Sequence, residues 1–276
     1  MEAEASVLVR VFWRRFPCHI PCEGVLMIAK QKSYIKWFSR ALQPFAYFYY
    51  RLRYRVYPNP FSPIEIDLFE ITGWYRGDIY SEISFAGQIK RGDWRSRVTN
   101  RKDYLAYNLK YRAVEQRYVE GLSWKDTVLF QEYASYQPHK PLPKGARDLD
   151  ELESIYEKRY DSLFKVLKEK GFRPAGQGVR PVYVCIDRGG EIYYTVDGNH
   201  RLAMAMVLGI QKIPVQVLRR HKDWQIRRDR ICENLRLGQM LDPEDGPLSH
   251  SDLRDLKGRC GDRKGKKTAH DSGCGR

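Results

Sequence analysis

The stretch Val182-Tyr-Val-Cys-Ile-Asp-Arg-Gly-Gly-Glu-Ile-Tyr-Tyr-Thr-Val196, continuing as Asp197-Gly-Asn-His-Arg-Leu-Ala-Met-Ala-Met-Val-Leu-Gly209 and Ile210-Gln-Lys-Ile-Pro-Val-Gln-Val-Leu218, decides the fold. Val182–Ile186 is β-rich, Asp187-Arg-Gly-Gly190 is a turn, and Glu191–Val196 is a second strand, so composition and spacing give a hairpin. A helix through Leu208 follows Asp197-Gly198, Gly209 closes it, and Ile213–Leu218 makes a third strand. That order aims the free amides of a helix N-terminus at whatever sits beyond the strand.

The residues at this junction suit a phosphate. Gly198 lacks the side chain that would block close approach of an anion. His200 and Arg201 fall in the first helical turn, where cations oppose the helix dipole and a bound anion would relieve the conflict. Arg201 can offer a bidentate fork to phosphate oxygens, while Asp197 can cap the helix or orient His200. The same residues also fit a purely structural arrangement, with Asp197 capping, His200 bonding a neighbouring carbonyl and Arg201 paired to a carboxylate. Spacing alone does not separate the two.

Working outward, Pro63-Ile-Glu-Ile-Asp-Leu-Phe-Glu-Ile71 alternates loosely and predicts a first strand, and residues 74–100 read as loop with strand fragments. Asp103 opens a helix to Glu120, striped by Tyr107, Tyr111, Val114 and Tyr118 and ended by Gly121. Ser123-Trp-Lys-Asp126 has capping-box spacing. Pro138, Pro141 and Pro143 mark an extended linker. Asp148 or Asp150 then starts a long helix through Lys170. These helices predict an insertion over about 100–171, around a smaller α/β core. After the third strand, Arg219, Arg220, His221 and Lys222 cluster before a helix to Leu237; they reach a nucleotide or form a solvated face. Residues 241–276 read as a tail, disordered from about 258.

The flanks hold the charge. The 276 residues carry 49 Lys+Arg against 34 Asp+Glu, a formal +15. Residues 27–60 contribute +7 without one acid, residues 61–218 only +3, residues 219–276 +5, and residues 1–26 nothing. Anion binding at the junction is therefore local and geometric, not a bulk field effect. In 27–60 cations interleave with Tyr34, Trp37, Phe38, Phe45, Phe48 and other aromatics, with Pro44 between two short helices. This fits an interfacial helix on anionic lipid, stacking on single-stranded nucleic acid, or plain packing on the domain. Residues 1–26 read as a non-native extension, with Met27 behind Glu23-Gly24 as the expected start. A hydrophobic fraction of 42% supports a sizeable core, and no apolar run approaches the ~20 residues of a helical span. The six cysteines lack paired C-x-x-C knuckles and are too dispersed for a disulfide framework. That predicts neither bridges nor structural zinc, and a reducing cytoplasm with peripheral membrane contact.

Asp197-Gly-Asn-His-Arg201, the helix to Gly209 and the Ile213-Pro-Val strand resemble the G-x-x-R box, helix and strand of the ParB/sulfiredoxin superfamily. The likeness covers roughly 172–218, with Ile64–Ile71 as a candidate opening strand. Ser123-Trp-Lys-Asp-Thr127, Asp187-Arg-Gly-Gly190, Arg220-His-Lys-Asp-Trp-Gln225 and His250-Ser-Asp-Leu-Arg-Asp255 look like recurring features of microbial ParB-like domain proteins that carry no established activity. The resemblance implies an α+β fold, a mixed sheet with helices, and the helical insertion lying between the first strand and the hairpin-helix unit. Sulfiredoxins place a catalytic cysteine where Asn199 stands, so sulfinic acid reduction is not expected. Partition proteins bind CTP with a similar box and a later E-N-x-Q-R segment; Glu233-Asn-Leu-Arg236 lacks the glutamine, and the short remainder argues against their DNA-binding domain. Free serine kinases of the superfamily set a similar box beside a catalytic carboxylate, for which Glu70 or Asp67 is the natural candidate. The implied site is thus Asp197, His200 and Glu70 for catalysis, with Gly198, Asn199, His200, Arg201, Arg188 and Arg220 on a nucleotide (ATP, ADP or CTP, with Mg2+). The expected function is nucleotide or phosphate binding, extending to small-molecule phosphotransfer. A non-catalytic switch module or a nucleic-acid-binding, nuclease-type protein is the alternative.

Overall fold

Among the described residues seven strands form one mixed sheet in the computed structural model: β1 Ile64–Asp67, β2 Ile71–Tyr75, β3 Gln88–Lys90, β4 Val98–Asn100, β5 Val182–Ile186, β6 Ile192–Tyr194 and β7 Lys212–His221. The structure describes residues 44–76, 86–136, 141–172, 181–195, 197–241 and 248–260, all within the compact unit Leu42–Arg276. The expected extension 1–26, the Met27 start, the basic segment up to residue 43 and the tail from 261 lie outside them.

Strand order is β1-β7-β5-β6-β2-β4. β5 runs parallel to β7 and antiparallel to β6, as the hairpin reading requires, and β2 runs parallel to β6. Ten-residue β7 is long enough to serve two partners on one edge: β1 pairs with Lys212–Val215 and β3 with Arg219–His221. Pro214 is tolerated inside it because the β5 ladder begins one residue later, at Val215. Along β5, Val182, Val184 and Ile186 enter one core and Tyr183 and Cys185 the other, the period-two signature of a strand covered on both faces.

The helices are α1 (44–53), α2 Arg101–Tyr107, α3 Leu109–Glu115, α4 Val128–Tyr136, α5 Leu149–Tyr156, α6 Ser162–Lys170, α7 Asn199–Val207, α8 Lys222–Leu237 and α9 Arg254–Cys260. A π-turn, Gln116–Glu120, extends α3, and a second, Glu157–Asp161, joins α5 to α6. α2 to α6 form the insertion, with their own core around Trp124, Phe130, Leu152 and Tyr156. Helix α7 lies between the two halves: Leu202 and Ala205 enter the sheet core, Ala203 and Met204 the insertion core.

Several expectations are corrected. The stretch Ile64–Ile71 is not one strand. Asp67 accepts from the Phe69 amide at 2.9 Å and Glu70 reaches back to the Asp67 amide, closing a 3-10 turn, Leu68–Glu70, that splits it into β1 and the start of β2. The helix placed over 103–120 breaks at Asn108, whose side chain accepts from the Tyr111 amide at 3.0 Å and caps α3; Tyr107 is left 82% exposed, off the apolar stripe. Residues 248–260 of the supposed tail are structural, because Ser251, Asp252, Leu253, Leu256 and Cys260 are buried. Cys232 and Cys260, 28 residues apart, are joined by a disulfide between α8 and α9, against the expectation of no bridge. Sequence spacing hid the pair because only helix packing brings it together. Among the described residues no helix is long and apolar enough to cross a membrane.

Candidate anion-binding site

The junction between β6 and α7 is built as its sequence suggests. Gly198 takes φ +99°, and a Cβ there would sit 3.2 Å from both Val182 Cα and Arg201 Nη2, so no other residue fits the turn without strain. Gly198 is the N-cap, and no side chain caps the helix. Its first turn therefore presents amides that want an acceptor. Asp197 does not cap; it accepts from the Gly198 amide at 2.8 Å and lies 3.6 Å from the Arg201 guanidinium. Asn199 accepts from the Tyr104 hydroxyl at 2.6 Å, tying the box to α2.

His200 does not make the carbonyl bond that a structural role would supply. Its ring stacks on Tyr160 at 4.1 Å and meets Tyr156 edge-on at 5.7 Å. Nε2 is shut off from solvent and has no hydrogen-bond partner, a costly state for a buried polar atom. Burial, then the positive charges of Lys110, Lys144, Arg159 and Arg201, hold the imidazole well below the ordinary histidine range, so it is neutral.

These four cations are the main finding at the site, and three of them were not visible in the sequence motif. Lys110 stands at the start of α3, Lys144 in the turn Pro143–Gly145 and Arg159 in the π-turn. Asp161 fixes that π-turn by accepting from Arg117 at 2.6 Å, Tyr118 at 2.8 Å and the Trp124 indole at 3.0 Å. Lys144 is the only non-glycine with positive φ (65°) among the described residues, a strained conformation of the kind found where function over-determines the backbone. Burial and then Lys144 lower the Lys110 ammonium; burial and then Arg159 lower Lys144, each offset in part by Asp197. Neither lysine, nor Arg159, makes an ion pair with a described residue. Asp197 is the carboxylate that acts on Lys110, Lys144 and Tyr160. The helical insertion thus forms the second wall of the site, opposite the α7 N-terminus.

Beside the box a groove of about 540 Å³ opens, lined in part by Trp74, Tyr104, Tyr107, Tyr133, Lys110 and Asn199. Asp103 and Glu132 also line it. Among the described residues no group of three or more His, Cys, Asp or Glu is placed to hold a metal ion.

Asp197, Gly198, Asn199, His200 and Arg201 come together; Glu70, Arg188 and Arg220 do not join them. The box adjoins the start of β5, through Val182, whereas Ile186 at the far end of β5 pairs with Arg220, and Arg188 occupies the turn beyond it. Glu70 precedes Ile71, which pairs with Ile192 at that same far end. Each residue is also engaged there. Glu70 accepts from Ser251 Oγ at 2.6 Å and closes the Asp67 turn. Arg220 is buried against Asp252 at 2.6 Å, and exposed Arg188 lies 3.5 Å from the Gly92 carbonyl. Arg220 and the neighbouring guanidinium of Arg228 outweigh burial and hold Asp252 well below the usual carboxylate range. This is a structural network rather than a ligand site.

No protein-family model, curated protein or solved structure matches this chain.

Proposed function

We propose that the protein binds a nucleotide, with its phosphates over the α7 N-terminus and its base and sugar along the aromatic groove. One observation carries this reading: the positive charges of Lys110, Lys144, Arg159 and Arg201 act together on buried His200, whose Nε2 has no partner and which lies in the first turn of a helix that no side chain caps. Lys110, Lys144 and Arg159 make no ion pair with a described residue, so their positive charge beside His200 is unfavourable unless an anion arrives. A phosphate chain supplies charge for the cations, acceptors for the amides and a partner for Nε2. The groove favours a nucleotide over bare phosphate, because the aromatic residues Trp74 and Tyr107 line it together with Asn199 of the box. The order of hairpin, box, helix and strand, with the parallel β5–β7 pair, also supports reading the sheet as ParB/sulfiredoxin-like.

Binding is better supported than phosphoryl transfer. Glu70, the carboxylate expected to act as base, is engaged at the other end of the strands. Transfer would have to rest on Asp197, which is already paired with Arg201. Mg2+ would arrive on the nucleotide phosphates, with Asp197 the carboxylate nearest to receive it.

Thermal shift with ATP, ADP, CTP and GTP, with and without Mg2+, tests the reading. A nucleotide at one hundred times Kd should add about 2.7 kcal/mol of stability, and Lys110→Ala and Arg201→Ala should abolish the shift. No response to any nucleotide, together with a salt-sensitive shift on single-stranded DNA, would replace it with the nucleic-acid reading.

A further inference from the structure

Helix α1 divides cleanly into two faces. At 3.6 residues per turn, Phe45, Phe48, Tyr49 and Leu52 fall within roughly 100° of arc. Tyr47, Tyr50 and Tyr54 fall on the opposite side. The inward tyrosines pack on the domain: Tyr54 is buried, Tyr50 lies 5.2 Å from Tyr57 and Tyr47 lies 5.8 Å from it. The outward face meets solvent, with Phe45 73%, Phe48 64% and Leu52 74% exposed. Arg51 and Arg53 flank that apolar arc, one on each side. The helix is held firmly in this attitude. The Val56 amide donates to Asp229 at 3.0 Å, Arg55 pairs with Glu233 on α8, and the Tyr57 hydroxyl donates to the Gly87 carbonyl at 2.6 Å.

A second feature adjoins the helix. A cavity of about 290 Å³ lies under its C-terminal end, lined by four guanidinium groups, Arg51, Arg55, Arg236 and Arg259, together with tyrosines. The nearby carboxylates are Asp229, which accepts from the Val56 amide, Glu233, paired with Arg55, and Asp255, 3.7 Å from Arg259. An exposed aromatic and aliphatic face beside a small arginine-lined cavity matches an anionic phospholipid: acyl chains accept the face and a phosphate headgroup enters the cavity.

We infer that α1 docks the protein on an anionic lipid bilayer, with Phe45, Phe48 and Leu52 inserted at the acyl boundary and a headgroup phosphate seated among Arg51, Arg236 and Arg259. Leu52 and the separation of the apolar arc from its cationic flanks favour lipid over nucleic acid. Base stacking wants rings interleaved with cations on one face, whereas here the centre of the exposed face carries no charge. This surface is independent of the nucleotide site.

The test is co-sedimentation of the full chain with vesicles of phosphatidylcholine alone and of equal parts phosphatidylcholine and phosphatidylglycerol. The anionic vesicles should bind at least about tenfold more protein, less so at high salt. Binding should be lost in Phe45→Ser/Phe48→Ser/Leu52→Ser and weakened in Arg51→Ala/Arg236→Ala, both altered at the surface and both checked for an unchanged melting temperature. The inference is overturned if the parent ignores anionic vesicles, or if the triple-serine protein still binds them fully. It is equally overturned if the parent instead binds single-stranded DNA, or buries the face in a concentration-dependent dimer.

Discussion

His200 lies against Tyr160 with ring centroids 4.1 Å apart and planes inclined by 22°, its Nε2 has no hydrogen-bond partner, and four cations act on the ring. The imidazole is neutral in the fold, yet titrates near its ordinary value of 6.5 once unfolded. Below that pH the unfolded chain takes up a proton that the folded one refuses. The contribution of neutral His200 is therefore complete above about 6.5 and is lost as pH falls from there toward the depressed folded value. In phosphate-free buffer the melting temperature should drop as pH is lowered through this window. His200→Gln should flatten the drop. Added nucleotide should restore stability most strongly at the acid end, because a bound phosphate favours the imidazolium.

Lys144 should show opposite effects on stability and binding. Lys144→Gly removes a left-handed conformation that costs a side-chain-bearing residue roughly 1 kcal/mol. The unliganded protein should then melt at a higher temperature by a few degrees. The same change deletes a cation from the site, so calorimetry should record weaker nucleotide binding. A variant unchanged in affinity would remove Lys144 from the binding wall.

Asp252 is the keystone of a buried charge network. It accepts from Arg220 at 2.6 Å and from the Trp224 indole at 2.9 Å, and Arg228 lies 3.3 Å away. Asp252→Asn should cost about 3–5 kcal/mol, because buried Arg220 loses its counter-charge and buried Arg228 is left with Asp255 alone. Urea unfolding measures this directly. A variant as stable as the parent would show that the network does not support the core.

Reducing the Cys232–Cys260 bridge should also destabilise. Closing a loop of 28 residues' separation restricts the unfolded chain by about 3–4 kcal/mol in the chain-entropy picture. Unfolding with and without reductant, alongside alkylation mass spectrometry, checks both the bond and its effect. Cys260→Ser should match the reduced parent and gain nothing from oxidant.

The hairpin, the Gly198 turn, α7 and β7 were legible because each is a local pattern: alternation, a glycine at positive φ, a short amphipathic run. That Asp197, Gly198 and Arg201 meet at one turn was readable for the same reason. Lys110, Lys144 and Arg159 were not, because no motif spans 91 residues from Lys110 to Arg201; only the docking of the insertion on α7 assembles them. Lys144 did carry a faint signal, standing between Pro143 and Gly145 in a segment otherwise read as linker. Glu70, Arg188 and Arg220 were misassigned for the complementary reason. Chemistry suited them, but strand direction puts them at the other end of the sheet. The segment Ser251–Cys260 was hidden by its composition. Glycine and charge read as tail, whereas Asp252 and Asp255 are the counter-ions of arginines that precede them by some thirty residues.

That last pairing sets an order of events during synthesis. Arg220 and Arg228 leave the ribosome well before Asp252, so for an interval the nascent chain holds two guanidinium groups that its interior cannot accept. The β7–α8 region must stay open to water until the segment Ser251–Cys260 emerges. Completion of the core is then tied to the emergence of residues 251–260, and a ribosome stalled before residue 252 would hold a chain whose buried arginines lack these counter-ions.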